Sequence, residues 1–159
     1  MPPTAPPLDW VAIPESPPQL PSWQGHALAE MVVSATQSLT QQVGYVPPWI
    51  GYLVRNSSGE WVGTCGFKSP PQSGQVEIAY FTFPEFEGRG IATAMARRLL
   101  ELAQAADPAV QVIAQTLPME SPSTSILRKL GFRLRGTVHH PDDGDVWEWE
   151  QPQPSPGDR

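Results

Sequence analysis

The stretch PEFEGRGIATAM, residues 84–95, decides how this chain is read. Gly88 and Gly90 flank Arg89, and a helical pattern begins at once. Ile91, Met95, Leu99 and Leu102 fall on one face of that helix, with Arg97, Arg98 and Glu101 elsewhere. The preceding residues, QVEIAYFTF (75–83), read as a strand. A helix start leaves its first N–H groups unpaired and its dipole favours anions. Glycines there let a phosphate approach the backbone, so strand, Gly-rich turn and helix make an anion cradle. A dinucleotide fingerprint would need a third glycine where Thr93 stands, and a P-loop would need Gly-Lys-Ser/Thr, which does not follow. Two glycines in a tight turn also occur without any ligand.

Outward from this stretch the chain alternates elements. LDWVAI (8–13) reads as a first strand. Residues 22–44 carry Leu28, Met31, Val32, Ala35 and Leu39 at helical spacing, ended by Gly44, Pro47 and Pro48. PWIGYLVRN and EWVGTCGFK flank NSSGE as a hairpin. After the quoted helix, VQVIAQTL (110–117) reads as a buried strand, and PSTSILRKLGF as a short helix closing at Gly131. RLRGTVHHP and DVWEWEQ form a last hairpin through DDGD. The order β–α–β–β–β–α–β–α–β–β predicts a mixed α/β fold whose sheet is largely antiparallel at first.

The 159 residues suit one domain. Eight of the 20 prolines precede Ser22 and three follow Gln151. The expected division is therefore a Pro-rich arm over 1–21, one domain over 22–151 and a disordered tail over 152–159. Net charge is −6, which argues against a protein that coats nucleic acid or an anionic membrane. No apolar run is long enough to span a bilayer. The opening MPPTAPPLDW shows neither a basic n-region nor an apolar h-region, so a soluble cytoplasmic protein is expected. Cys65 is the only cysteine, which leaves no internal disulfide and no Cys-based zinc site. Seven of the ten bases lie between Arg89 and Arg135, so an anionic ligand belongs in that basic middle.

Residues VEIAYFTFPEFEGRGIATAMARRLLELA, then a strand, then SPSTSILRKLGFRLRG, resemble the GNAT superfamily of acetyl-CoA-dependent N-acetyltransferases. It looks most like the branch with ribosomal-protein N-terminal acetyltransferases, and the resemblance covers roughly residues 45–150. The family motif Gln/Arg-x-x-Gly-x-Gly/Ala falls on Glu87, Gly88, Arg89, Gly90, Ile91 and Ala92. The resemblance implies a GNAT-like fold: a twisted, mostly antiparallel sheet with a splayed strand pair and helices on both faces. It implies that Gly88, Arg89, Gly90, Ile91, Ala92 and Thr93 hold the CoA pyrophosphate through backbone N–H groups. It also implies a bulge in AYFTF that splays this strand from VQVIAQTL. The backbone of Phe81, Thr82 and Phe83 would then meet the pantetheine arm, and one amide would polarise the thioester carbonyl.

Three positions depart from the family pattern. Glu87 replaces the usual Gln or Arg and is expected to point to solvent, offset by Arg89. Glu120 stands where relatives often carry Asn. Leu127 stands where many carry a Tyr that protonates the leaving thiolate. Ser123 matches a Ser that some relatives place near the sulfur, as acid or hydrogen-bond donor; its alternative role is helix N-capping.

An alkyl amine of pKa about 10 must lose a proton to attack the thioester. Glu77, on the strand bordering the cleft, is either the general base or the ion-pair partner of Lys68. Cys65 reads as a small core residue. His139 and His140 with Asp142 suggest a metal, but adjacent strand residues face opposite ways, so a polar turn is the stronger reading and no metal is expected. Trp23 and Trp49 are either core packing or walls of an acceptor pocket.

The expectation is an N-acetyltransferase that moves an acetyl group from acetyl-CoA to a small-molecule or peptide amine, by direct transfer in a ternary complex. No nucleic-acid or membrane partner is expected, and the state is monomer or homodimer. The absence of bases before Arg55 and the acidic stretch 142–150 suit a cationic acceptor. The alternative is a catalytically weak CoA- or acetyl-CoA-binding module.

Overall fold

The computed structural model describes residues 7–17 and 21–152. In chain order the elements are β1 (Leu8–Ala12), α1 (Ala27–Val43), β2 (Gly51–Asn56), β3 (Trp61–Phe67), β4 (Gln75–Thr82), α2 (Ile91–Ala106), β5 (Gln111–Thr116), α3 (Pro122–Lys129), β6 (Arg133–His140) and β7 (Gly144–Glu150). This is the order predicted from the sequence. A short 3-10 turn, Pro84–Phe86, joins β4 to the glycines.

The seven strands form one sheet in the order β1-β2-β3-β4-β5-β7-β6. Every neighbouring pair is antiparallel except β4–β5, which is parallel. That exception follows from α2: a helix between two strands returns the chain to the same end of the sheet. The fold is thus the expected mixed α/β one, largely antiparallel. Gly51 lies under Thr36 of α1, while Gly63, on the alternate face, lies under Met95 of α2. Helices therefore cover both faces.

The core is continuous across the sheet. Ile91, Met95 and Leu99 are buried along α2, as their spacing predicts. They pack with Val62, Val76, Ile78 and Val112 in one apolar cluster. Trp23 and Trp49 also belong to that cluster, and Trp49 meets Phe67 edge-on at 5.0 Å between ring centroids. Both tryptophans are therefore packing residues.

Three expectations are corrected. The segment 1–21, read as an arm, contributes β1 to the sheet edge, paired to β2 from Leu8↔Asn56 to Ala12↔Tyr52. Residues 1–6 and 18–20 of that arm, and 153–159 of the tail, lie outside the described residues. The second correction concerns α1. It begins at Ala27 after His26, whose Nδ1 accepts the Ala29 N–H. Its fully buried line is Ala29, Val33 and Gln37, not the stripe of Leu28, Met31, Val32, Ala35 and Leu39, of which Leu28 and Val32 pack partly buried against the core and Met31 is exposed. Gln37 Nε2 donates to Pro14 O at 3.1 Å, which satisfies a polar residue turned inward. Third, β4 carries no bulge. Its register on β3 runs unbroken from Gly63↔Thr82 to Phe67↔Ile78.

Gly66 on β3 pairs directly with Gly51 on β2. A Cβ added there would come within 2.7 Å of Gly51 Cα and 2.8 Å of Ile50 O. Both are backbone atoms that cannot rotate away. Gly66→Ala is expected to destabilise the fold by about 1–3 kcal/mol. Calorimetry should show Tm falling by about 3–10 °C.

Candidate functional site

The site is organised by where β4 and β5 part. Their pairing runs from Gln75↔Gln111 to Ile78↔Ala114 and stops, although the strands continue to Thr82 and Thr116. Backbone directions along β4 show which groups face the gap. The Glu77 carbonyl accepts Lys68 N–H at 2.9 Å and Phe83 N–H donates to Val62 O at 2.8 Å, both toward β3. The Gly74 carbonyl accepts Gln111 N–H at 2.8 Å, toward β5. The alternation is kept from residue 74 to 83, as a strand without a bulge requires. Tyr80 and Thr82 therefore turn their N–H and C=O into the gap, while Phe81 and Phe83 turn theirs to β3. Of the three residues expected to offer backbone there, only Thr82 does; Tyr80 was missed. Its signal lies in pairing, which sequence alone does not reveal.

Beside the gap lies a cavity of about 820 Å³. Tyr80 and Thr82 form one wall, Gly88, Gly90 and Thr93 the base, and Ser123 the opposite wall. Gly88 and Gly90 have φ of +77° and +80°, a conformation L side chains rarely adopt. A Cβ at either would meet nothing within 4 Å, so the backbone there faces open space. The first bond of α2 is Ala94 N–H to Gly90 O, at 3.1 Å. Gly90 caps with no side chain and the first turn holds no acid. The N–H groups at the head of α2 are thus left for a ligand; Thr82 lines the same cavity, and its Oγ1 is buried without a hydrogen-bond partner. Phosphate groups with a polar arm fit this lining. Ile91 is buried beneath the cradle, Ala92 lines it, and Arg89 lies outside, its guanidinium 5.2 Å over the Phe86 ring. Glu87 is exposed at the cavity rim.

The second helix at the cavity is different. α3 is capped by a reciprocal box, with Ser121 Oγ accepting Thr124 N–H and Thr124 Oγ1 accepting Ser121 N–H. Ser121, not Ser123, is the cap. Ser123 is exposed and lines both the large cavity and a second one of about 300 Å³ at the vertex of the gap. Glu120 is bonded to Thr124 Oγ1 at 2.9 Å and to Arg128 at 2.8 Å, bracing the helix start. Leu127 is fully buried in the core. The hydroxyl that does reach this place is Tyr80, which donates to Ser123 O at 3.4 Å. Burial pushes its phenol up to about 12, so it remains a donor through the ordinary pH range.

Glu77 is half-buried and its carboxylate lies 2.6 Å from Lys68 Nζ. Lys68 lines the vertex cavity; Glu77 does not. Cys65 is buried, and burial raises its thiol pKa, which keeps it protonated and unreactive. His140 Nδ1 accepts the N–H groups of Asp142 and Asp143, and His139 pairs with Asp145 at 3.3 Å, so these histidines organise the last hairpin. Among the described residues no helix is long and apolar enough to cross a membrane.

The pattern of the acetyltransferase (GNAT) domain matches residues 10–133. No curated protein sequence matches significantly. Among solved structures, a ribosomal L7/L12 α-N-protein acetyltransferase without ligand superposes with TM-score 0.66, at 19% identity over 92% of this chain and 93% of its own. A structure of a ribosomal L7/L12 α-N-protein acetyltransferase in complex with coenzyme A gives 0.61, at 18% identity over 90% and 92%. A spermidine N-acetyltransferase chimera that includes the Vibrio cholerae enzyme gives 0.67, at 12% identity over 92% and 95%. At these identities the likeness is one of fold.

The Tyr80 phenol has a pH signature. Its pKa is raised from 10.0 to about 12, so the stability it carries is full below pH 10 and is lost as pH rises through about 12. Urea midpoints at about pH 9 and about pH 11.5 should fall further for the wild type than for Tyr80→Phe. Equal falls would place the phenol in solvent.

Proposed function

This chain belongs to the GNAT family of acetyltransferases and is an N-acetyltransferase; from that premise we propose that it transfers acetyl from acetyl-CoA to a primary amine directly, in a ternary complex. The observation that carries this reading is the gap between β4 and β5, open beyond Ile78↔Ala114, with the uncapped head of α2 at its mouth.

Acetyl-CoA, when bound, supplies a thioester that an amine can attack. The rest is done by this chain. The N–H groups from Gly88 to Thr93 hold the pyrophosphate, with the dipole of α2 behind them. The backbone of Tyr80 and Thr82, turned into the gap, positions the pantetheine arm and offers an N–H to the carbonyl oxygen. Such donors are fixed and already oriented, so they need no reorganisation as charge develops. Ser123, freed from capping, donates a hydrogen bond toward the departing sulfur. A thiol of pKa about 8.5 leaves readily, so this demand is modest. Glu77 has two readings, and its 2.6 Å pair with Lys68 favours the structural one over the general base. Much of the rate is then positioning.

A thermal-shift titration tests the reading. Acetyl-CoA and CoA at about 100 times Kd should stabilise the fold by about 2.7 kcal/mol, while NAD should not. Gly90→Glu, which places a carboxylate in the cradle, should abolish the shift and keep the fold. In turnover with an accepted amine, Glu77→Gln should cost less than about tenfold in kcat. A loss of about 10²–10⁴ together with loss of the basic limb of the pH profile would make Glu77 the base after all. Ligand-induced shifts without turnover of any amine would favour the binding-module reading.

A further inference from the structure

The apolar stripe of α1 is not buried along its length: Leu28 and Val32 pack against the core, while Met31, Ala35 and Leu39 lie outside it. Val32 and Leu39 are only half-buried and Ala35 is exposed, while the helix packs through Ala29 and Val33. The stripe instead walls a groove of about 240 Å³ between α1 and the sheet. The floor of this groove is kept low by Gly51 and Gly66, which face each other across β2 and β3. The groove leads somewhere: Lys68, Ala79 and Tyr80 line both it and the vertex cavity, and Tyr80 also lines the large cavity beside the glycines. A group seated in the groove reaches the place where β4 and β5 part.

Charge narrows what can sit there. Lys68 is the one charged residue in the lining, and its ammonium is matched by Glu77 at 2.6 Å. No carboxylate lines the groove, so an ammonium brought in would shed water without gaining a partner. The same lack of anions favours the neutral form of an amine at the inner end, which is the form that attacks. The floor strands β2 and β3 are interior to the sheet and paired on both sides, and β4 is paired to β3 throughout, so only the short unpaired stretch of β4 beyond Ile78 offers backbone to a ligand there.

We infer that this groove is the acceptor pocket, and that it takes a small primary amine bearing one apolar substituent of aryl or branched-alkyl size, rather than a polycation. The inference rests on the acetyl-transfer reading and names the substrate class of that site. It replaces the cationic acceptor suggested by the charge distribution along the chain. The acidic residues 142–150 do not enter the groove: Glu148 and Glu150 are taken up by Arg133 and Arg135 on the far strands.

The test is binding, independent of turnover. CoA is linked through a carboxymethyl bridge to 2-phenylethylamine, to the N-terminus of Phe-Gly-Gly, or to spermidine, and titrated calorimetrically beside CoA itself. The phenylethyl conjugate should bind about ten- to a hundredfold more tightly than CoA, from burial of one apolar group. The spermidine conjugate should match CoA within about threefold. Leu39→Glu should erase the phenylethyl gain and leave CoA affinity unchanged, which also shows that the variant is folded. The inference is overturned if the spermidine conjugate is tightest, if the peptide conjugate exceeds the phenylethyl one, if no conjugate exceeds CoA, or if Leu39→Glu leaves the gain intact. Failure of CoA itself to bind would instead defeat the acetyl-transfer reading on which the inference stands.

Discussion

Everything functional in this molecule depends on two parallel strands that stop pairing. β4 and β5 share hydrogen bonds only as far as Ile78 and Ala114. Beyond that point an unpaired backbone inside a sheet would normally be costly, because buried N–H and C=O groups must find partners. On β4 the groups left open are those of Tyr80 and Thr82, which face a cavity instead of a strand. Because β4 keeps strict alternation on β3, the free groups are fixed in direction and held by a fully paired neighbour. A bulge is unnecessary; divergence of the two strands is enough.

The electrostatics of the cavity follow from an asymmetry between two helix starts. Both α2 and α3 begin at its wall. The head of α3 satisfies its own donors through Ser121 and Thr124, and Glu120 adds a brace. The head of α2 satisfies none of its own with side chains, since glycine is the cap. Of the two helix starts, that of α2 is the one open to an anion, through backbone donors alone, since no Lys or Arg lines the cavity. The capping of α3 has a second effect: it relieves Ser123 of a structural task and leaves its hydroxyl at the junction of two cavities.

Much of the fold was legible in the sequence because its signals are local. Helical spacing from Ile91 to Leu99 marked the buried face of α2, and Gly88 with Gly90 marked the positive-φ turn before it. Gly131 marked the close of α3, and the order of elements followed from turn chemistry. The readings that failed were those in which a distant partner decides. The stripe of α1 was periodic and apolar, yet the fully buried line runs through Ala29, Val33 and Gln37, which reaches Pro14, and only Leu28 and Val32 of the stripe pack against the core. Tyr80, whose hydroxyl reaches Ser123 O, was not singled out, because only the strand register brings it beside α3.

The sequence by itself determined the element order, the glycine turn that must adopt positive φ, and the family to which the chain belongs, because each is written in neighbouring residues. Tertiary structure alone decided which backbone groups enter the gap, whether Glu77 stands free or paired to Lys68, and which face of α1 is left open beside the site. Those are questions of direction between elements. A strand turns alternate residues to opposite neighbours, and only pairing says which neighbour each one meets.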